Sequence, residues 1–545
     1  MAQKVTPSSS ATTRPARLLG WAFVFAVLAF AWLRFSENTA DNDLWGHVLY
    51  GQRNWTLGHL ERIEKLSWTA AGDPWINHET GAELVLGWVH RAAGATGLWV
   101  FMMTMAAVTV GWAAREGRGK NALQQWLALA LLAASTNFIA LGFAVRPQLF
   151  TMLALVVLLS SLRRFFSLRS RYGIIPPLLF ACWVNFHGGY LAGWLVLVLA
   201  CALEMIARFW PAPLAALRLS PGAEYSCRPA LVVVLLALST LALAANPWGF
   251  HLVGWTIESL RLPRAQITEW QPMLFSGGGI LFYSVAALSL LAWVVSRQPR
   301  RLWEAATLLL FAIMAALHQR HAPLFGLANL MFTPPHLADV ARRLEPSCRN
   351  LLAALRQAPL QLTGTLALTA AGLLCLRPSV SAPREHPFAI EVPRDTYPVG
   401  AIEFIRAREL TGNTITFFDW GQQVLWELPH NPVSFDGRLD TVYQNPIMAA
   451  HWRLYAGEAP GPVLDLNRPQ VALLPTNSGG VEFLRASGWT VAYRDPLATV
   501  QVKSPSLFPK LAGTGLPVLV GPSATQGRAR FPDAPPVLGT AAAPR

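Results

Sequence analysis

LLGWAFVFAVLAFAWLRFSENTADNDLWGH, residues 18–47, is the stretch on which the reading of the whole chain turns. Residues 18–34 form an apolar run long enough to cross a hydrocarbon core of ~30 Å as helix, the form in which lipid leaves no backbone amide unpaired. Directly after it comes D-N-D-L-W-G-H, Asp41 to His47. On a helix Asp43 and His47 stand at i, i+4 and share a face; in an extended segment Asp41 and Asp43 do. Either geometry brings two carboxylates toward one small volume, where mutual repulsion lifts one pKa. That suits a general base, or a divalent cation such as Mg2+ or Mn2+ held by Asp41 and Asp43. The plainer alternative is a solvated loop with Asp43 as an N-cap and the tryptophans as an interfacial belt.

Apolar runs of similar length recur at 95–114, 123–142, 149–162, 173–186, 190–209, 231–245, 280–295, 302–317, 323–337 and 360–376, which makes about eleven crossings. Composition agrees. Charged residues are 14% of 545, against roughly 25% in soluble proteins, and apolar types reach 53% with 22 Trp. A water-soluble enzyme and a disordered chain are both excluded, and five Cys are too few for a disulfide framework.

Lys and Arg number 44 against 30 Asp and Glu, a net +14, which raises the question of a nucleic-acid partner. The placement of the charges answers it. Clusters fall in every second loop: Arg115, Arg118 and Lys120; Arg163, Arg164, Arg169 and Arg171; Arg208, Arg218 and Arg228; Arg297, Arg300 and Arg301; Arg342, Arg343, Arg349 and Arg356. Such alternation is the positive-inside pattern, so no nucleic acid is needed to explain it and the lipid bilayer is the partner. The expected topology is a multi-pass helical protein of the cytoplasmic (inner) membrane over 1–377, with a cytoplasmic amino terminus and the first helix retained rather than cleaved as a signal. Loops 36–94, 143–148, 187–189, 246–279 and 318–322, and the chain after Leu376, then lie outside.

Those outer loops collect the ionisable side chains. The first holds His47, His78 and Glu79; H-E-T-G-A-E is not H-E-x-x-H, so a zincin site is rejected. Arg146 precedes Pro147, His187 precedes two glycines, Arg264, Glu269 and Trp270 share one loop, and His318 to His321 fill another. Ionisable groups at a membrane edge are functional candidates, although a lone Arg beside a span is as readily a snorkelling side chain. The combination argues further: carboxylates suited to act as base, and Arg146, Arg264 and Arg320 suited to hold the phosphate of a lipid-linked donor.

After Leu376 a proline-punctuated linker leads into shorter runs. Helices are expected at 399–410, 422–428, 449–455 and 481–487, and strands at 414–418, 433–435, 470–474, 490–493 and 498–502: an extracytoplasmic α/β domain over 378–503. Pro, Gly and Ala dominate 504–545, which reads as a poorly ordered tail. F-F-D-W-G-Q puts Asp419 where a strand ends, and D-G-R puts Asp436 after the next; an N-cap and a turn are the plainer readings. Strand ends are nonetheless where such sheets present ligands. No P-loop, G-x-G-x-x-G or G-x-S-x-G occurs.

An acidic first outer loop right after helix one, outward-facing polar loops and a carboxyl-terminal outer domain together resemble the GT-C glycosyltransferase superfamily, which includes protein mannosyltransferases, aminoarabinose transferases and oligosaccharyltransferases. The likeness is nearer to the bacterial membrane proteins of that superfamily than to one named enzyme. It implies a polyprenyl-phosphate-linked or pyrophosphate-linked sugar donor, with Asp41 and Asp43 in the catalytic place. His47, His78, Glu79, Asp419 and Asp436 stand second, and the acceptor is a glycan, lipid or protein. D-W-G at 419–421 is similar to a reduced form of the oligosaccharyltransferase W-W-D-Y-G motif. The mannosyltransferase aspartate-glutamate pair is replaced by D-N-D, so the resemblance does not carry the sugar. The rival class is non-catalytic: an inactive scaffold in glycolipid or polysaccharide assembly or export, or a transporter. Transporters place ionisable groups near mid-membrane, where these spans are poor in charge.

Overall fold

The computed structural model of the chain describes residues 14–119, 121–167, 170–210, 228–262, 264, 266–355, 357–376 and 388–532. Among these, seven helices are long and apolar enough to cross a membrane: Arg14–Phe35, Thr80–Arg118, Ala122–Ala140, Gln148–Phe166, Tyr190–Phe209, Gly278–Val295 and Ala358–Leu376. Pro229–Ala242 and Leu302–Leu317 are shorter apolar helices. Two of the eleven expected runs are not single spans. Residues 173–186 yield only the nine-residue helix Ile175–Trp183. Residues 323–337 break into Ala322–Phe332 and Pro334–Leu344, because Pro334 has no N–H to continue the ladder.

Outward faces of the long helices remain apolar: Trp21 is 73% exposed, Leu366 72% and Leu290 63%, as a surface facing hydrocarbon requires. The first and last of the seven run together, with the Phe25 ring seated where Gly372 has no side chain.

Loop 36–94 is far from irregular. It holds the helix Leu44–Leu57 and the first turns of Thr80–Arg118, which break at Gly94 (φ 61°), so that the membrane segment proper begins at 95. The two helices touch backbone to backbone. A Cβ on Gly51 would lie 1.9 Å from the Glu83 carbonyl oxygen, and one on Gly87 would lie 2.8 Å from the Gln52 nitrogen.

The carboxyl-terminal domain is a mixed sheet of five strands in the order β2 (Thr414–Thr416), β3 (Val471–Pro475), β5 (Ala498–Val502), β4 (Thr490–Arg494), β6 (Val518–Leu519). β2 and β3 are parallel, β5 runs against both its neighbours, and β4 and β6 are parallel. Helices Val399–Ala407, Gly421–Glu427, Asn445–Ala456 and Gly479–Ala486 alternate with them, so the α/β reading holds. Two expectations need correction. Residues 433–435 form no strand: Val433 makes single bridges, to Thr414 and to Ser67 of the first loop.

The tail is ordered as far as 532. β7 (Arg528–Arg530) pairs antiparallel with β1 (Glu391–Pro393), and Phe531, 1% exposed, packs on Trp45 and Trp426. One buried aromatic outweighs the Pro/Gly composition that suggested disorder. Residues 533–545 lie outside the described residues.

Loop and domain are joined by a buried ion network. Arg438, itself buried, forks onto Asp436 (Nε–Oδ1 3.0 Å, Nη2–Oδ2 2.8 Å) and reaches Glu64 of the first loop with Nη1 and with Nη2 (3.2 Å). Its guanidinium lies 5.1 Å from the Tyr50 ring and 5.0 Å from Trp75. Removing one partner of such a network strands the others. Arg438→Met leaves two buried carboxylates without a cation and is expected to cost about 3–5 kcal/mol. Thermal unfolding of the purified protein, and protease access at the domain junction, read this; an unchanged melting curve would refute it.

Candidate active site

Five separate segments meet with the carboxyl-terminal domain at one end of the bundle, around a cavity of about 820 Å³. Its wall includes Asp41, Asp43, His47, His78, Glu79, Arg146, His187, Arg264, Glu269, Arg320 and Asp419. Of the residues singled out in the sequence, Asp436 stays outside it, as do His318 and Gln319 of the loop that brings in Arg320. Asp436 is fully buried, bonded by Arg438 and by the Tyr443 hydroxyl (2.8 Å), and so serves the domain junction rather than the cavity.

The centre is Arg146, brought in by the short turn before the helix Gln148–Phe166. Its guanidinium meets three carboxylates: Nη2 to Asp43 Oδ2 at 2.6 Å, Nε to Asp41 Oδ1 at 3.3 Å, and Nη1 to Glu269 Oε2 at 3.3 Å. Glu269 passes its other oxygen to Arg320 Nη1 at 3.2 Å. The Arg146 guanidinium thus pairs with both Asp41 and Asp43, the two carboxylates expected to suit a divalent cation. Asp43 has its own backbone N–H donating to Asp41 Oδ1 (3.0 Å), which fixes the D-N-D turn. Burial lifts the Asp43 carboxyl to about 6, with Arg146 opposing and Asp41 adding to the rise. Glu269 is held below its usual range: burial pushes it up, but Arg146 and Arg320 prevail.

Arg264 and Arg320 flank the Trp270 indole at 4.7 and 4.4 Å, a double cation–π stack that stiffens both. Arg264 also binds Asp440 (3.2 Å) and Ser259. Glu79 has three imidazoles around it: His78 at 3.7 Å, His187 at 3.8 Å and His47 at 3.9 Å. Burial alone would raise Glu79, yet His78, His47, His187 and Arg146 hold it low. His187 is pushed down to about 3 by burial and is a neutral imidazole; its Nδ1 accepts from the Gly189 N–H (3.0 Å) and pairs with Thr151 (2.8 Å). His78 stacks on Trp255.

The domain closes the cavity with the strand-end motif. Asp419 follows β2 and hydrogen-bonds Asn42, the middle residue of D-N-D; burial raises its carboxyl, that bond lowers it, and Asp41 raises it again. Asn42 also accepts from the Tyr397 hydroxyl (2.8 Å). Gln422 Oε1 accepts from the Gly46 N–H (3.1 Å). Glycines permit the contact: a Cβ on Gly46 would sit 2.2 Å from Gln422 Oε1, and one on Gly437 would sit 2.2 Å from Asp43 Oδ1.

Sequence reasoning passed over Glu83 and gave Gln422 and Gly437 no role of their own. Glu79 and Glu83 stand four apart at a helix start, a spacing that was there to be read once H-E-x-x-H had been set aside.

No protein-family model matches the sequence, and no curated protein does. Among solved structures, the chain is similar to the archaeal oligosaccharyltransferase AglB from Archaeoglobus fulgidus, in complex with an inhibitory peptide and a dolichol-phosphate. Identity is 13% over 84% of this chain and 69% of that one, with a TM-score of 0.48. It is also similar to ArnT from Cupriavidus metallidurans bound to undecaprenyl phosphate, at 13% identity over 90% of this chain and 99% of that one, with a TM-score of 0.43.

Gly437→Ala tests the docking of the domain on Asp43. The added methyl is expected to turn the Asp43 carboxylate off Arg146 while the fold persists. A cryo-EM map of the variant that still shows the 2.6 Å pair would contradict it.

Proposed function

We propose that this protein transfers a sugar from a polyprenyl-phosphate or polyprenyl-pyrophosphate donor to an acceptor hydroxyl at the outer face of the cytoplasmic membrane. The observation that carries the reading is the Arg146 hub: two first-loop aspartates and Glu269 on one guanidinium, with Arg320 across Glu269, in a single cavity. A non-catalytic assembly scaffold has no need to gather these groups from distant segments. The cavity has the walls such a donor needs. Leu191, Leu195, Leu260, Met314 and Leu324 offer apolar surface from the helices, and Phe418, Asp419 and Trp452 face it from the domain.

The chemistry is a single displacement. Asp43 takes the proton from the acceptor hydroxyl as that oxygen bonds to the anomeric carbon, and the bond from that carbon to the phosphate oxygen breaks. The electron pair leaves with the phosphate, so the product has inverted stereochemistry. A carboxylate raised to about 6 remains ionised at neutral pH and is a stronger base than a free one, which suits this step. Arg320, Arg264 and Arg146 stabilise the charge on the departing phosphate, and two of them are already held in place by Trp270. Asp41 positions Asp43 through its hydrogen bond.

Lipid-linked sugars that co-purify with the protein, identified by mass spectrometry, supply the donor for the assay. Asp43→Asn is expected to lower transfer by about 10²–10⁴-fold at unchanged membrane level. Arg320→Gln removes one charge-stabilising group, worth ~2.7–4 kcal/mol in comparable sites, and is expected to cost about 10²–10³-fold. Full product formation by a well-folded Asp43→Asn protein would overturn the proposal.

A further inference from the structure

The same cavity holds a second cluster that the transfer chemistry does not use: His47, Glu79 and Glu83. His47 comes from the helix Leu44–Leu57 and Glu83 from the facing helix Thr80–Arg118, whose backbones approach through Gly51 and Gly87. Glu79 stands one turn before Glu83. One ligand atom from each of the three falls within 4.8 Å of the others.

The arrangement is looser than a set of close hydrogen bonds, although Glu83 does pair with the His47 ring. His47 is 7% exposed, and its buried Nδ1 has no partner at ordinary hydrogen-bond distance. It points at Glu83 Oε1 at 3.5 Å and at Glu79 Oε2 at 3.9 Å, at or beyond the reach of a hydrogen bond. Those spacings resemble donors arranged around a common centre. An ion bonded at ~2.0–2.2 Å to imidazole and carboxylate holds neighbouring donors about 3–3.5 Å apart, so His47 and Glu83 already stand at that spacing and Glu79 has to draw in to close the shell.

Each carboxylate gives one oxygen to the cluster while the other is engaged outside it. Glu83 Oε2 accepts from Asn77 Nδ2 at 2.6 Å, and Glu79 Oε1 faces His78 and His187. Such outer partners orient ligands in metal sites. All three residues line the cavity, which leaves a coordination face open to it.

Charge points the same way. Among the described residues, seven carboxylates line the cavity (Asp41, Asp43, Glu79, Glu83, Glu269, Asp419 and Asp440) against four guanidiniums (Arg146, Arg264, Arg320 and Arg438). One of those four, Arg438, is already committed to Glu64 and Asp436.

We infer that His47, Glu79 and Glu83 bind a divalent first-row metal cation, separately from the Asp41–Asp43 pair. The imidazole donor suits Zn2+, and the two carboxylates beside it also admit Mn2+. The site stands on the geometry alone. Its use, offsetting the carboxylate excess beside an anionic donor, rests on the proposed function.

The test needs no sugar donor, so its failure is separable from failure of the transfer reading. Full-length protein in nanodiscs, stripped with EDTA, is titrated with Mn2+ by electron paramagnetic resonance and with Zn2+ by competition with a chromophoric chelator; Mg2+ and Ca2+ serve as competitors. One ion per chain is expected, with electron spin-echo modulation from an imidazole nitrogen. Glu83→Gln and Glu79→Gln should each weaken binding at least tenfold, and His47→Gln should abolish the nitrogen modulation. Asp41→Asn should leave affinity within about twofold. Thermal melts of the stripped variants check their folding, and Glu79, at the start of its helix, gives a second reading where Glu83→Gln unfolds. Absence of Mn2+ and Zn2+ binding in the wild type would overturn the site, as would binding lost in Asp41→Asn and kept in the glutamate variants. The cluster would then be an imidazolium held between two carboxylates.

Discussion

Arg438 is the residue on which the geometry of this molecule depends. Burying a guanidinium with two carboxylates costs several kcal/mol per ion in desolvation, and the cost is offset only where every lone pair and proton finds a partner. Here they do. Glu64 Oε1 accepts from the Leu66 and Ser67 N–H groups (2.5 and 2.6 Å), Asp436 from the Arg438 N–H (2.9 Å) and the Tyr443 hydroxyl, and aromatic rings of Tyr50, Trp75 and Tyr443 face the guanidinium. The network draws its members from the first loop and from the carboxyl-terminal domain, which are 374 residues apart in the chain. A hydrophobic contact at that junction would tolerate sliding. A forked ion pair fixes the register.

That register reaches the cavity in one residue. Gly437, between Asp436 and Arg438, lies where any side chain would strike Asp43, and Gln422 and Tyr397 hold Gly46 and Asn42 on either side. The D-N-D segment is thus clamped from above by the domain and from below by Arg146. Clamping matters because an electrostatic site works by having its dipoles and charges in place before the charge of the reaction develops. Trp270 does the same for Arg264 and Arg320 by filling the space between them.

Much of this was legible in the sequence, and the reasons differ by feature. Long apolar runs announce spans because lipid leaves the backbone no other choice, and the chain even begins its second span where it was read, after Gly94. Asp41, Asp43, Arg146, Arg264 and Arg320 were found because ionisable groups at helix ends are costly to keep without a use. The break at Pro334 and the nine-residue helix Ile175–Trp183 were missed because apolar composition outweighed local backbone chemistry in the reading. Asp436 was read as a second-line site residue, with a turn as the plainer alternative, because D-G-R looks the same whether its aspartate faces a ligand, water or Arg438. The order of 504–532 was hidden for a similar reason: Phe531 becomes informative only once Trp45 is known to stand opposite it. His47 and Glu83 meet through two glycine contacts between helices, which no local spacing reports.

The same charges that make the cavity legible also constrain how the proposed reaction starts. As it stands, Arg146 is saturated by three carboxylates, and Asp43 is bound tightly to it at 2.6 Å. That pair opposes proton uptake, but burial outweighs it and lifts the Asp43 carboxyl to about 6. A donor phosphate competes for the same guanidinium with more charge and bidentate geometry. As the phosphate takes Arg146, Asp43 loses its counter-ion within a buried site, and its proton affinity rises. On the proposed reading, donor binding raises the basicity of Asp43 further. The third carboxylate explains how the transfer of allegiance stays affordable: Glu269 remains shared between Arg146 and Arg320, so neither guanidinium is left alone while the phosphate enters.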